Sequence, residues 1–235
     1  MRNWFIFFAF SVGIVASHAD TGDKQKVMEI FRKCQKNYIN AQSFEIKMQY
    51  VMYGSYTSQK PTEQYEGTYI KNRQEAYSKI GNTEFVQLRD CFIKADHETN
   101  LIMFGKRSQD DAVFYDIESL VKNFKTFEYK EKGNQIICTM GSAAVTFVPY
   151  SKMVICINKK TLTIDRQQMY MLTQMPVIGK NGRKTMSYPR VEVIFSGFKT
   201  KNIKIGEKFK KEYYVVSTRD GIVPVGQYKE FRIVD

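Results

Sequence analysis

The sequence predicts one α+β domain: a curved antiparallel β-sheet that forms an incomplete barrel, with two or more helices covering its concave face. Three observations support this fold class. Apolar residues repeat with the helical period of 3.6 in two segments and with the strand period of 2 in most others. Short strand-like runs follow one another across polar or glycine-containing breaks, which is typical of an antiparallel meander. No repeat, low-complexity segment or linker divides the 235 residues.

The first nineteen residues have the composition of a secretory signal peptide. Arg2 precedes the apolar run 4–16, and Ser17-His18-Ala19 supplies a cleavage site with small residues two apart. The run is too short for a comfortable membrane span, and an uncleaved N-terminal anchor is the alternative. We therefore expect residues 1–19 to be removed by cleavage after Ala19, which leaves a single exported domain over residues 20–235.

The mature chain opens with a predicted helix. Asp23 is a candidate N-cap, and the helix should end near Asn40. Its apolar residues fall at i, i+3, i+4, i+7 and i+11 and so form one stripe, composed of Val27, Ile30, Phe31, Cys34 and Tyr38. We expect this stripe to cover part of the sheet.

Strand patterns follow the helix. Positions 44, 46, 48, 50 and 52 are apolar and mostly alternate with polar residues, which predicts a half-buried strand. The next strand-like runs are Tyr65–Lys71, Glu75–Ile80, Glu84–Arg89, Cys91–Ala95 and Leu101–Phe104.

A second helix is predicted to interrupt the meander. Asp110 or Asp111 can cap its start, and Lys122 and Lys125 suit the negative end of its dipole. Strand patterns then resume at Thr126–Glu131, Gln135–Met140, Lys152–Asn158, Leu162–Leu172 and Arg190–Lys199. Pro176–Pro189 is predicted as a basic loop, Gly226–Asp235 alternates imperfectly, and the pattern leaves open whether Thr200–Val225 forms strands or a docking loop.

The charge favours acidic partners. The formal charge of +12 falls to +11 once Arg2 is removed, and anionic lipid, acidic glycans or nucleic acid would match it. Export argues against nucleic acid. An ordinary solvated surface is the simpler interpretation of the same charge, because the basic residues are spread along the chain.

The sequence offers little support for catalysis, for a metal or for a cofactor. His97 is the only histidine of the mature chain, and the candidate nucleophile Cys91 lies six residues before it, across a break in the strand pattern. Asp96 lies beside His97, but a metal site usually needs three or four convergent ligands. Four cysteines allow three disulfide pairings, and their spacing does not choose among them or exclude free thiols. We therefore expect a binding protein and not an enzyme.

The order of elements resembles the periplasmic lipoprotein carrier family of the Lol system, LolA and LolB. The resemblance covers roughly residues 24–198. It rests on the first helix and on six stretches that resemble the family's strands and hairpin: Ser43–Met48, Gly67–Arg73, Glu84–Leu88, Leu101–Phe104, Val154–Ile164 and Pro189–Phe198. The chain departs from the family at Gln74, where a proline is usual, and over Thr200–Val225, which has no clear counterpart.

The resemblance implies a periplasmic carrier with an apolar cavity under a helical lid. It also implies that acyl chains or a lipoprotein are the ligand, that a strand arginine holds the lid closed, and that the strands bearing Cys138 and Cys156 are neighbours. Arg73 matches the latch position, and Lys71 is the near alternative. Aromatic residues and adaptable methionines could line the cavity, namely Phe44, Met48, Tyr50, Phe85, Met103 and Phe104.

A second hypothesis uses the same fold differently. The chain would then be a non-enzymatic envelope domain with a packed interior that serves a structural or protein-interaction role. Under either hypothesis, an anionic membrane surface or envelope proteins are further candidate partners.

Overall fold

In the computed structural model, which describes residues 21–107, 117–143, 148–178, 184–219 and 221–234, the chain begins with helix α1 (Thr21–Asn40). The predicted stripe is buried along its whole length, which confirms the first helix. Asp23 is not the N-cap, because the helix starts two residues earlier. Its Oδ2 instead accepts a hydrogen bond from the Tyr129 backbone N at 3.0 Å, and so fixes the start of the helix to the sheet.

Sixteen strands and a second helix follow in the described residues. The first group is β1 (Ser43–Tyr53), β2 (Pro61–Asn72), β3 (Glu75–Ile80), β4 (Thr83–Gln87), β5 (Cys91–Asp96) and β6 (Leu101–Lys106). Helix α2 (Ile117–Lys122) precedes β7 (Phe124–Lys132), β8 (Gln135–Ser142), β9 (Tyr150–Asn158) and β10 (Ile164–Met171). The last strands are β11 (Met175–Ile178), β12 (Lys184–Ser187), β13 (Arg190–Lys199), β14 (Val215–Thr218), β15 (Gly221–Pro224) and β16 (Arg232–Val234).

Twelve of these strands form one open sheet, in the order β16-β6-β5-β4-β3-β2-β1-β13-β10-β9-β8-β7. Every neighbouring pair is antiparallel except β16 and β6, which are parallel. The sheet does not close into a barrel, and the predicted fold class is confirmed. No helix among the described residues is long and apolar enough to span a membrane.

The two faces of the sheet carry separate cores. Successive residues of a strand point to opposite faces, so Phe44 and its partner Lys71 lie on one face, whereas Glu45 and its partner Ile70 lie on the other. We call the first the helix-side face, because α1 packs on it, and the second the tail-side face. The tail is the chain from residue 200 to residue 234, of which residue 220 is not described.

The first core lies between α1 and the helix-side face of β1 and β7–β10. It contains the buried stripe of α1 together with buried residues of these strands, among them Phe44, Ile46, Cys138, Met153 and Ile155. Tyr38 fixes the position of the helix, because its phenol accepts a hydrogen bond from the Ile164 backbone N at 2.9 Å.

The second core lies on the opposite face of the sheet, where the tail covers β2–β6. Tyr214, Val215 and Tyr228 of the tail are fully buried against Tyr77, Val86 and Ile93 of the sheet. The tail reaches this position through short 3-10 turns and the hairpin β14–β15. Thr200–Val225, for which the sequence pattern did not decide between strands and a docking loop, is therefore part of the segment that covers β2–β6.

Two predicted elements differ from the structure. The second helix was expected to reach Lys125, but it ends at Lys122, and Phe124 begins β7. Its predicted caps, Asp110 and Asp111, lie outside the described residues, as does the signal peptide. Pro176–Pro189 was expected to be a loop, but its described residues contain β12 and most of β11, which pair as a hairpin.

Candidate functional site

Five of the six predicted cavity residues share the helix-side face. Ile46, Tyr69, Ser78, Phe85, Lys94 and Met103 are successive cross-strand partners and so form one row across β1–β6. Phe44, Met48 and Tyr50 point to the same side of β1. The register therefore places Phe85 and Met103 on the same surface as Phe44, Met48 and Tyr50.

Phe104 lies on the other face. Its cross-strand partner is Ile93, a residue of the second core, and the ring packs against that core. Lys211 of the tail lies over the ring, with its Nζ 5.1 Å from the ring centroid. Phe104 therefore belongs beneath the tail and not to the predicted site. The sequence placed both Met103 and Phe104 in the predicted cavity. Because successive residues of a strand point to opposite faces, only Met103 lies on the helix-side face.

The helix-side face changes from covered to open along the row. Phe44, Ile46 and Met48 are buried, whereas Phe85 is 38% exposed and Met103 is 39% exposed. Phe85 stacks on Phe92, with a centroid separation of 6.2 Å. Sequence reasoning missed Phe92, although it alternates with Cys91 and Ile93 in the strand pattern. The helix-side face is therefore apolar under α1 and carries the partly exposed Phe85, Phe92 and Met103 beyond it, with Ser78 and Lys94 between the apolar members of the row. We call the apolar residues of this face the helix-side strip.

Two tyrosines on this face are half-buried. Burial raises the pKa of Tyr50 and of Tyr69. Such an environment favours alkyl or aromatic groups over an unpaired charge.

A lysine, and not the predicted arginine, holds the end of α1. Lys71 Nζ donates to the backbone O of Tyr38 at 3.0 Å and of Ala41 at 3.4 Å, where the helix ends. The same ammonium lies 5.8 Å from the centroid of the Phe44 ring, and burial lowers the pKa of Lys71. Arg73 lies in the β2–β3 turn with φ 56° and an exposed side chain, and only its backbone N reaches Gln42 O, at 2.6 Å. The expected contact between a basic side chain of this region and the end of α1 is present, and Lys71, the alternative residue, makes it.

The two residues that the sequence offered as a catalytic pair, Cys91 and His97, lie far apart. Cys91 and Asp96 are the two ends of β5, so Cys91 and His97 lie about 15–20 Å apart at some 3.3 Å per residue. His97 Nε2 lies 3.1 Å from Glu84 Oε1. Burial raises the pKa of the Cys91 thiol to about 11, with Asp90 adding to the effect, so the thiolate is disfavoured at neutral pH. Within the described residues no three His, Cys, Asp or Glu side chains could hold a metal ion.

Cys138 and Cys156 lie on neighbouring strands, but on opposite faces. Ile137 pairs with Cys156, and Cys138 pairs with Ile155, so the two thiols point away from each other. All four cysteines are free. The neighbouring strands expected from the resemblance are present, and the register prevents the disulfide.

A second concavity lies on the tail-side face. It encloses about 970 Å³ between β1–β3 and the first part of the tail. Charged side chains of both signs line it, including Lys47, Glu66, Lys204 and Lys208. Lys208 Nζ donates to Tyr77 Oη at 3.3 Å and lies 4.5 Å from the ring centroid. This lining does not suit an acyl chain, so the helix-side strip is the candidate site.

Several solved structures are similar to this one at low sequence identity. An uncharacterized conserved protein from Thermus thermophilus is 10% identical with a TM-score of 0.46, and the match covers 77% of this chain and 90% of that one. A putative outer membrane lipoprotein-sorting protein domain from Vibrio parahaemolyticus is 9% identical with a TM-score of 0.37, over 79% and 97% of the two chains.

A LolA superfamily protein from Nitrosomonas europaea is 10% identical with a TM-score of 0.36, again over 79% and 97%. The structure is thus similar to members of the group that the sequence resembles. No protein-family model and no curated protein matches the sequence.

Proposed function

We propose that the mature chain is an exported, periplasmic, non-enzymatic carrier that holds acyl chains on the helix-side face of the sheet. The observation that carries this proposal is the set of apolar side chains on one face of the sheet, which is buried under α1 and partly exposed at Phe85, Phe92 and Met103. Exposed apolar side chains grouped on one face of a protein often mark the place where a ligand or partner binds.

The physical basis is exchange of one apolar contact for another. Each methylene that leaves water contributes about 0.8 kcal/mol, so a chain of ten or more carbons gains enough to offset several lost contacts beneath α1. Lys71 ties only the last turn of the helix to β2. Helix α1 can therefore act as a lid that hydrogen bonds hold near its two ends, at Asp23 and at Lys71, and that apolar contacts hold along its stripe.

The test is titration of a fluorescent fatty-acyl probe into the mature protein, residues 20–235. We expect saturable binding. The double substitution Phe85→Ser, Met103→Ser removes most of the open strip and should weaken binding by at least about tenfold. Val223→Ser is the matched control, because Val223 is 38% exposed but lies in the tail hairpin β14–β15. Its affinity for the probe should equal that of the wild type.

Two results would count against the carrier. Absence of saturable binding would leave the envelope interaction domain with a packed interior. Equal weakening by Val223→Ser would show that the probe adsorbs to apolar surface in general.

A further inference from the structure

The proposed carrier function makes no use of the tail-side concavity. This concavity encloses about 970 Å³ between β1–β3 and the first part of the tail. Sites that bind small molecules usually have volumes of about 300–1,000 Å³. The concavity lies on the opposite face of the sheet from the helix-side strip, so a ligand here and an acyl chain there would occupy separate places.

The strand register builds a row of polar side chains across the floor of the concavity. Ser196, Lys47, Thr68 and Lys79 are successive cross-strand partners on β13, β1, β2 and β3. All four line the concavity. Because neighbouring strands lie about 4.8 Å apart, the row offers two ammonium groups with a hydroxyl between them.

Apolar side chains lie beside this row. Ile70 and Tyr77 are the next cross-strand pair on the same face of β2 and β3, and both are buried. Ile194 of β13 is half-buried and lines the same floor. An apolar floor with a few convergent polar groups is typical of a site for a small organic ligand.

The tail supplies two more lysines, which face the floor. Lys204 and Lys208 line the concavity from the tail. Lys208 Nζ donates to Tyr77 Oη at 3.3 Å, and the carbonyl O of Lys208 accepts a hydrogen bond from the hydroxyl of the fully buried Tyr214 at 3.1 Å. These bonds fix this wall, so a ligand does not have to order it first.

Ion pairs with residues outside the lining neutralise three of its seven charged side chains. The lining contains four lysines and three glutamates. The pairs, measured from N to O, are Lys79–Glu84 at 3.2 Å, Lys199–Glu45 at 3.0 Å and Lys210–Glu207 at 2.9 Å.

Three cations of the lining remain without a carboxylate partner among the described residues: Lys47, Lys204 and Lys208. Glu66, whose side chain is exposed, is the remaining carboxylate of the described lining. Like charges around one concavity repel each other, and a bound anion relieves that repulsion. Lysine ammonium groups bind phosphate as point charges, and hydroxyls such as that of Thr68 donate to its oxygens.

We propose that the tail-side concavity binds a phosphate ester. The phosphate lies among Lys47, Thr68, Lys204 and Lys208, and the organic part of the ester packs on the apolar floor. A soluble phosphate ester and a phospholipid headgroup share this chemistry. The site goes beyond the carrier proposal, because it uses the other face of the sheet and a ligand of different polarity.

The experiment is calorimetric titration of the mature protein, residues 20–235, with phenyl phosphate, inorganic phosphate and phenol. Inorganic phosphate lacks the apolar part of the ligand, and phenol lacks the anion. We expect saturable binding of phenyl phosphate, at least about tenfold tighter than of either other compound and weakened by added salt. Changes in backbone amide shifts should be confined to β1–β3, β13 and the tail.

Lys47→Gln with Lys204→Gln should weaken the binding of phenyl phosphate at least about tenfold, because two of the ammonium groups are lost. The matched control is Lys125→Gln with Lys132→Gln, which removes the same charge from exposed positions on β7, at the far edge of the sheet. It should bind phenyl phosphate like the wild type.

Neither double variant should lower the urea midpoint or change the affinity for the fatty-acyl probe. Failure of the phosphate site and failure of the carrier are therefore separate results.

Vesicles distinguish the two sources of the phosphate. Sedimentation with phosphatidylcholine vesicles only when they contain phosphatidic acid, reversed by phenyl phosphate, would assign the site to a lipid headgroup. Binding of phenyl phosphate without such sedimentation would assign it to a soluble ester.

Three outcomes would overturn the proposal. They are no saturable binding of phenyl phosphate, binding no tighter than that of inorganic phosphate, and equal weakening by the β7 control. If phenyl phosphate fails to bind but polyglutamate binds saturably, the concavity is instead a docking surface for acidic proteins.

Discussion

At the scale of single residues, Lys71 and Arg73 show how position decides role. They lie two residues apart near the end of β2, and both are basic. Lys71 is on the helix-side face and reaches the last carbonyls of α1, whereas Arg73 is in the turn with an exposed side chain. A cation at a helix C-terminus is also favoured by the helix dipole.

We predict different costs for the same change at these two positions. Lys71→Met removes two charge-assisted hydrogen bonds and should lower the free energy of unfolding by about 1–2 kcal/mol. It should also speed hydrogen exchange in the last turn of α1. Arg73→Met should change stability by less than about 0.5 kcal/mol. Urea unfolding measures both, and a larger cost at Arg73 would contradict the assignment of the latch to Lys71.

Glu84 is the second residue whose surroundings decide its role. The carboxylate is buried, and three side chains from different elements converge on it. Lys79 Nζ lies 3.2 Å and His97 Nε2 3.1 Å from Oε1, and the Tyr228 hydroxyl donates to Oε2 at 3.2 Å. Burial alone would raise the pKa of Glu84, but the bonds and charges from Lys79, Tyr228 and His97 lower it overall. Glu84 thus links the sheet to the tail.

This link should make stability depend on pH. Because the pKa of Glu84 is lower in the folded state than in the unfolded one, its contribution is present above the unfolded value of about 4.3 and is lost as the pH falls through the folded value. Glu84→Gln should therefore lower the free energy of unfolding by about 1–3 kcal/mol at pH 7, and by progressively less below about pH 4.

The control for this change is Glu230→Gln, at an exposed carboxylate of the tail. It should cost less than about 0.5 kcal/mol at any pH. A Glu84→Gln penalty that stays constant from pH 7 to pH 3 would contradict the argument.

At the scale of elements, the sequence predicted what depends on local periodicity. The stripe from Val27 to Tyr38 predicted α1 within three residues at its start, and the alternation from Phe44 predicted β1. Both predictions succeed because an element that buries one face must place apolar residues at the period of that element, 3.6 for a helix and 2 for a strand. The second helix was overextended, because Phe124 continues the helical stripe and also begins the alternation of β7.

What could not be predicted depends on contacts between distant segments. Alternation shows that Met103 and Phe104 face opposite ways, but not which of the two faces the tail will cover. The tail has little periodicity of its own, because its fully buried Tyr214 and Tyr228 lie in turns or beside them and not in long strands. Its position is set by partners more than a hundred residues away, such as Glu84.

At the scale of the whole molecule, one sheet supports two cores on opposite faces. Helix α1 covers β7–β10 and β1 from one side, and the tail covers β2–β6 from the other. This arrangement explains why the helix-side strip is open at Phe85 and Met103, because the element that buries β4–β6 lies behind them. Strands β1 and β2 join the two halves through an uninterrupted ladder from Ser43 to Met52.

We predict that the two halves can be destabilised separately. Tyr214→Ala empties a fully buried site in the second core, at a local cost of about 3–5 kcal/mol. Amide hydrogens of β4 and β5 should then exchange faster, while those of β8 and β9 remain protected, because local stability follows the nearest packed cluster. Phe31→Ala in the first core should give the reverse pattern. Equal loss of protection in all four strands, for either variant, would show that the open sheet unfolds as one cooperative unit despite its two cores.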